Sequence, residues 1–498
     1  MAKRLSQLAI IAAILLGLGP LFALLLQNGV QGLPFDSSIV HVVIFTLEQA
    51  LLSTLLSVVP GIFLARALAR QEFPGRGILL TLFALPMAVP AIVAVLGVTT
   101  LFGNSGLFPH LVSPYGLAGV LIAHVFFNLP LATRLFFQAL QNAPQEGYKL
   151  GAQLGFGEAA TLRHIDWPAL KAVLPQTAAI IFLLCAASFV IVLTLGGATA
   201  TTLEVAIYQS LRMDFDPGRA LSLSLIQVAL CAVLISLAQA GLKQDRSFTT
   251  LRLATRRYQP LSLATVGSDF ILIGLGCLIV LPPLAVVMIE GASYLHFSAL
   301  TFQALLTSLA LGLASALIAM LLACPLAQAG DNTSGMIALA GLIFPPAVLA
   351  TGWFLLMRGF GDSFMLIAAF IVALNALMAL PFAVAALRAG FSRISPQLIL
   401  LQRQLGLSGF NAFRIMIFPL LRRQAAQAFL MAMVLSLGDL TAITLLGNGG
   451  IITLPTLLHA EMGHYHGNDA AGTALLLVLL CAALTFAAQR LGDAHAAD

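Results

Sequence analysis

Few side chains in this 498-residue chain are of types that do chemistry, and their spacing restricts what that chemistry can be. The stretch "EMGHYHGND" brings Glu461, His464, His466 and Asp469 together, all of metal-ligand type. No second His or Cys cluster accompanies them to complete a coordination sphere, so a solvated external loop is expected and no metal. Cys185, Cys231, Cys277, Cys324 and Cys481 all lie in apolar runs without paired spacing, which points to core packing and not to disulfides or a metal cage. The four lysines, Lys3, Lys149, Lys171 and Lys243, fall outside any G-x-x-x-x-G-K-[ST] phosphate loop, so any ATP must be bound by another chain. Asp439 is the one acidic side chain well inside an apolar run, with Glu48 near the outer end of another. A carboxylate at that depth is expected to face protein or water.

The elements that position these residues follow from composition. At 60% hydrophobic and 9% charged, with a mean hydropathy of +1.01, the chain lies far from the soluble range and is an integral membrane protein. Its apolar runs are long and do not alternate, which favours helices over a barrel. Twelve spans are expected, at about 5–26, 43–69, 78–102, 117–140, 173–195, 220–241, 270–289, 303–328, 335–357, 364–387, 424–446 and 470–489. The run after Lys3 and Arg4 is too long for a signal-peptide core, and no small-residue cleavage site follows it, so it is expected to be the first span. With both termini cytoplasmic, only Arg212, Arg219 and Arg358 of the 24 Lys and Arg fall outside. Residues 141–172 and 388–423 are then cytoplasmic, and Asp36, Glu204, Asp214, Asp216, Glu290, Glu461 and Asp469 are external. The net charge of +5 is accounted for by the anionic inner lipid surface, without a nucleic-acid partner.

The chain also repeats. An offset of 251 residues relates Pro130 to Pro381, Gly155 to Gly406, Pro168 to Pro419 and Gly196 to Gly447, drifting to 262 for Ser53 and Ser315. Two parallel halves are expected, 1–245 and 269–498, joined by a basic cytoplasmic linker at 246–268. Each half carries a cytoplasmic loop, 146–171 and 397–423, in which a Gly is followed thirteen residues later by a Pro. Phe156, Ala159 and Leu162, and again Leu407, Phe410 and Phe413, recur at helical spacing, placing an apolar stripe on a short helix. One such helix could rest on lipid. Two at matched positions favour a partner protein, with Gly155 and Gly406 at the starts of the helices. The offset pairs Asp439 with Ser188, for which a structural hydrogen bond and a place in a transport pathway both stand open.

The Gly-to-Pro spacing resembles the EAA loop of the permease subunits of ATP-binding cassette importers. Gly155, Ile165 and Pro168 match it in the first copy, and Gly406, Met416 and Pro419 in the second. The E-A-A positions instead hold Lys149, Leu150, Gly151 and Leu400, Leu401, Gln402, so the family's acidic residue is missing from both. The segments "CAASFVIVLTLGGATATTLEVAIYQSLRMDFDPGRALSLSLIQ", "FPPAVLATGWFLL", "NALMALPFAV" and "LSLGDLTAITLLGN" resemble the permeases of bacterial thiamine and thiamine diphosphate importers. Fused ferric-iron permeases share the architecture. The resemblance implies an all-α type I importer permease of the inner membrane, paired with two cytoplasmic ATP-binding cassette subunits and a periplasmic substrate-binding protein. ATP would be bound by those partners, with no cofactor in this chain. It further implies coupling through helices at 151–165 and 402–416, carried by Gly155, Leu162, Ile165, Pro168, Gly406, Phe410, Phe413 and Pro419. Asp439 and Ser188 would then line the pathway, with Asp439 offsetting a thiazolium charge. A proton-coupled secondary transporter would need more intramembrane charge than Asp439 and Glu48 supply.

Overall fold

The computed structural model describes residues 2–17, 36–83, 85–104, 106–197, 200–240, 262–329, 344–357, 364–392, 394–407, 409–447, 450–463 and 467–493. Every regular element among them is helical. Eight helices are long and apolar enough to cross a membrane, and a ninth crossing arises if the pair 76–88 and 91–102, bent by 107°, counts as one.

The chain opens with α1 (Ala2–Gly17) and α2 (Ser37–Arg70). Asp36 starts α2 by accepting the Ile39 amide at 2.9 Å, satisfying one of the orphan donors of the first turn. At about 1.5 Å per residue, α2 outruns the roughly 30 Å hydrocarbon layer, so the end that carries Arg66 and Arg70 stands beyond it. There follow α3 (Arg76–Leu82), α4 (Ala91–Phe102), α5 (Leu117–Gln141), α6 (Gln145–Gln153), α7 (Glu158–Thr161), a π-helical turn (Leu162–Asp166), α8 (Trp167–Ala186), α9 (Val190–Leu195), α10 (Leu203–Arg212) and α11 (Pro217–Ala240). The second part holds α12 (Leu263–Ser293), α13 (Ala299–Ala329), α14 (Pro346–Met357), α15 (Phe364–Phe391), α16 (Pro396–Gln404), α17 (Gly409–Ala412), a π-helical turn (Phe413–Ile417), α18 (Phe418–Leu437), α19 (Thr441–Leu446), α20 (Leu454–Gly463) and α21 (Gly467–Asp493). Each start and end from α6 to α10 recurs 251 residues later from α16 to α20, both π turns included.

Packing crosses between the two parts. One core joins Leu203, Ile207 and Leu221 of α10 and α11 to Ala347, Val348, Leu374 and Leu380 of α14 and α15. A second joins Ile92, Val95 and Val98 of α4 to Leu454, Leu458 and Leu477 of α20 and α21. Outlying helices cross as well: α1 lies on α13, α12 lies on α2 and α4, and Trp353 of α14 donates to the Leu16 carbonyl at 2.9 Å. Lipid tails are as apolar as these side chains, so close packing of small residues carries the association. Ala316, Ala319, Ala376, Ala379 and Ala432 form one such contact among α13, α15 and α18. On Gly97 of α4 an added Cβ would stand 2.6 Å from the Pro283 carbonyl of α12.

Two expected spans are corrected. The spans at 173–195 and 424–446 are each broken, at 187–189 between α8 and α9 and at 438–440 between α18 and α19. Of the span at 5–26, only α1 falls within the described residues, and of 335–357 the helical part begins at Pro346.

Candidate functional site

The loop between α5 and α8 is built around a helix end. The Gly155 amide donates to the Ala152 carbonyl at 3.2 Å and the Phe156 amide to the Gly151 carbonyl at 2.9 Å, closing α6 in a Schellman motif. This closure requires a left-handed residue, and Gly155 has φ +71°. Gly406 repeats it at φ +66°, after the Leu405 amide bonds the Leu401 carbonyl at 3.0 Å. A Cβ on either glycine would meet nothing within 4 Å, so the turn demands glycine and close approach does not.

The expected single helices at 151–165 and 402–416 are therefore corrected. Gly155 and Gly406 each end a helix, and the next begins at Glu158 or Gly409. Phe156 folds back over Gly151, off any shared stripe with Ala159 and Leu162. Leu162 and Ile165 are half-buried, with Ile165 against Gly147 and Gly151, while Pro168 is exposed in the first turn of α8, where a missing amide is harmless. In the second loop Phe413 is half-buried with its ring centroid 6.1 Å from that of Phe418, and Pro419 is exposed. The backbone of Phe410 lies in α17, and its side chain is outside the described residues. Replacing Gly406 with Val forces a β-branched residue into the left-handed region, at a cost of about 1–2 kcal/mol. Loss of stimulated ATP hydrolysis with normal membrane insertion is the expected result; unchanged stimulation would remove the turn from the coupling route.

A polar network that sequence reasoning missed pins the first loop to the rest of the chain. Arg66 of α2 donates to Asp166 at 2.9 Å, and the Tyr148 hydroxyl of α6 donates to its other oxygen at 2.7 Å, all three side chains buried. One helical turn on, Arg70 pairs with the buried Asp269 of α12, Gln71 donates to the same carboxylate at 2.8 Å, and Glu158 lies 3.7 Å from Arg70 and accepts from Thr265. Motion of the loop therefore reaches both α2 and α12. The signal available in the sequence was Arg66 and Arg70 at i, i+4 just past an apolar run.

Deeper in the chain, Asp439 does not sit midway along a continuous span. It occupies the break before α19, where one carboxylate oxygen accepts the Thr441 amide at 2.9 Å and the Ala442 amide at 3.3 Å, and its other oxygen has no partner among the described residues. Its neighbour Gly438 lies against Pro90 at the start of α4, with room for a Cβ only at 3.3 Å from the ring. Ser188 occupies the matching break, its amide bonded to the Cys185 carbonyl at 3.3 Å. Asp439 thus has one oxygen committed to structure and one free.

On the side expected to face outward, α10 spans the seam between the two parts. Glu204, fully buried, faces the Ala347 amide at the start of α14 without a hydrogen bond of good geometry. Arg212 donates to the Gly447 carbonyl and stacks 5.4 Å above the Phe354 ring of α14. The matching positions on α20 are Pro455 and Gly463, which carry no charge. A polar cavity of about 580 Å³, lined by Ser38, His41, Gln209, Asp214 and Arg219 among others, opens beside α10. Asp36 at its rim is held below the usual carboxylate range by the Ile39 amide and the Ser38 hydroxyl. His464 and His466 lie outside the described residues, and Asp469 is 3.7 Å from His296.

Residues 57–243 match the family described as binding-protein-dependent transport system inner membrane component. Over 500 residues the chain is 44% identical to the thiamine transport system permease protein of Brucella abortus (strain 2308), covering 95% of this chain and 92% of that protein. It is 40% identical over 474 residues to the protein of the same description from Escherichia coli (strain K12), covering 90% and 88%. The one from Haemophilus influenzae is 35% identical over 476 residues, again covering 90% and 88%.

Proposed function

The chain belongs to the family of thiamine transport system permease proteins, and from that premise we propose that it moves thiamine or thiamine phosphates across the bacterial inner membrane as the permease of an ATP-driven importer. It is a transport subunit and not an enzyme. The observation that carries the coupling mechanism is the pair of loops at 146–171 and 397–423, which share every helix boundary at one offset. Two equivalent docking surfaces suit two ATPase subunits.

In this reading the chain makes twelve crossings in two parallel halves, 1–245 and 269–498, with 246–268 as linker and both termini cytoplasmic. The exchange of α10 and α11 onto α14, mirrored by α20 and α21 onto α4, supports two equivalent halves. ATP closes the partner ATPases, and their motion enters at Leu162, Ile165 and Pro168 and at Phe410, Phe413 and Pro419. The turns at Gly155 and Gly406 pass it on, and the network from Arg66 to Asp269 carries it into α2 and α12. The halves then rock about a pathway that runs past the breaks at Ser188 and Asp439, and opens outward to a substrate-binding protein as the contacts of α10 across the seam part.

Asp439 has a defined part in this pathway, its free oxygen offsetting a cationic ring in transit. Asp439→Asn keeps an acceptor for the Thr441 amide and removes the charge. Uptake of labelled thiamine should fall at least about tenfold, the equivalent of 1.4 kcal/mol, with expression and basal ATP hydrolysis preserved. Near-normal uptake would leave Asp439 as a cap alone. For the transport reading itself, cells lacking this chain should lose uptake of labelled thiamine, and in complemented cells a protonophore should spare that uptake while ATP remains. Protonophore-sensitive uptake at full ATP would point to a secondary carrier.

A further inference from the structure

The two cytoplasmic loops share their backbone boundaries and differ in what lies behind them. In the first, Ile165 rests on Gly147 and Gly151, and the buried trio Arg66, Asp166 and Tyr148 fills the space towards α2. At the matching positions of the second stand Met416, Leu398 and Gln402, and in place of the trio Gln328, Ile417 and Ile399. Polar contacts give way there to a cavity of about 320 Å³, lined by Gln328, Phe391, Leu398, Met416, Ile417 and Leu420 among others. It forms where α13 and α15, two of the spanning-length helices, end. That is the level of the lipid headgroups on the side placed in the cytoplasm above.

The charge around it is of one sign. Residues 388–423 contain six arginines and no Asp or Glu, whereas 146–171 balances Lys149, Arg163 and Lys171 against Glu146, Glu158 and Asp166. Arg414 and Arg422 are exposed on either side of the lining residues Met416, Ile417 and Leu420. Ile415 and Phe418 between them are 61% and 49% exposed, so apolar surface continues out of the cavity mouth. We propose that this cavity is a binding site for an anionic diacyl phospholipid, with an acyl chain in the apolar space and the headgroup phosphate held by the arginines of the second loop. Basic pockets between helix ends on the cytoplasmic face suit such headgroups. A neutral lipid would satisfy the cavity and leave the arginines without a counter-charge. The site belongs to the second loop alone, because the trio closes the first, and a lipid wedged there would set the position of that loop beneath its ATPase.

The inference rests on the cytoplasmic placement of the loop, and its test reads lipid without any transport assay. The full chain is equilibrated with bilayer discs of equal phosphatidylglycerol and phosphatidylcholine, extracted gently, and its retained lipids are counted by native mass spectrometry. Phosphatidylglycerol should be retained in preference. Leu398→Trp, which fills the cavity, and the surface pair Arg414→Gln with Arg422→Gln, which should fold without difficulty, should each lower its retention about tenfold or more, since each basic side chain near the surface contributes strongly. Lys171→Gln in the first loop should leave it unchanged. Equal retention of the two lipids, or wild-type retention in the arginine pair, would overturn the proposal. So would a Leu398→Trp protein that keeps its phosphatidylglycerol but no longer captures the ATPase, since the cavity would then belong to the ATPase.

Discussion

Asp166→Ala is expected to lower stability by about 3–5 kcal/mol, because it leaves the Arg66 guanidinium buried without a counter-charge and the Tyr148 hydroxyl without an acceptor. The side chains of Arg66 and Asp166 are only 9% and 7% exposed, so little water reaches the orphaned charge. Asp166→Asn retains an acceptor for Tyr148 and should cost less, and Arg66→Met together with Asp166→Leu should recover much of the loss, because a buried pair replaced whole by apolar groups is often neutral. Unfolding of the purified protein in detergent, followed by the loss of its folded monomer peak, reads all three. If Asp166→Ala were as stable as the wild type, the trio would not hold the loop against α2.

Leu162→Asp should abolish docking of one ATPase copy. Leu162 is half-buried where α7 passes into the π turn, and a carboxylate placed in an apolar contact costs several kcal/mol unless it is paired. Capture of the ATPase should fall by about a hundredfold or more at that loop, given tenfold for each 1.4 kcal/mol. Phe410→Asp is expected to do the same at the second loop, and the double variant to capture none. Full recovery of the ATPase with both substitutions would exclude the docking role.

These two residues also mark where the sequence was legible. The apolar runs and the offset of 251 residues were visible because span length and repetition survive any packing, and the helix boundaries from α6 to α10 recur at that offset. The Gly-to-Pro spacing was visible too, but its meaning was inverted: Gly155 and Gly406 close one helix and do not open the next. A glycine is equally at home at either end of a loop, and only the backbone bonds from residues 155 and 156 to 152 and 151 decide between them. The breaks at 187–189 and 438–440 were hidden because residues facing lipid or core are apolar whether or not the helix is continuous. Asp439, the one polar interruption there, was taken as a mid-span charge when half of it is a cap. The trio joins residues 100 apart in sequence, and Arg70 with Asp269 joins residues 199 apart, distances over which no local pattern reports. The contacts of Glu204 and Arg212 with α14 were missed for the same reason.

The central claim is that hydrolysis of ATP by partner subunits drives a thiamine compound through this chain. The most direct measurement reconstitutes the purified chain with its ATPase in proteoliposomes, with the ATPase facing the medium and the binding protein and labelled thiamine sealed inside. Label leaving the lumen is followed after ATP is added to the medium. The account predicts efflux that starts with ATP, requires the binding protein, stops with a non-hydrolysable analogue, and is lost with Leu162→Asp and Phe410→Asp combined. Efflux that proceeds without ATP, or follows an imposed proton gradient instead, would contradict it.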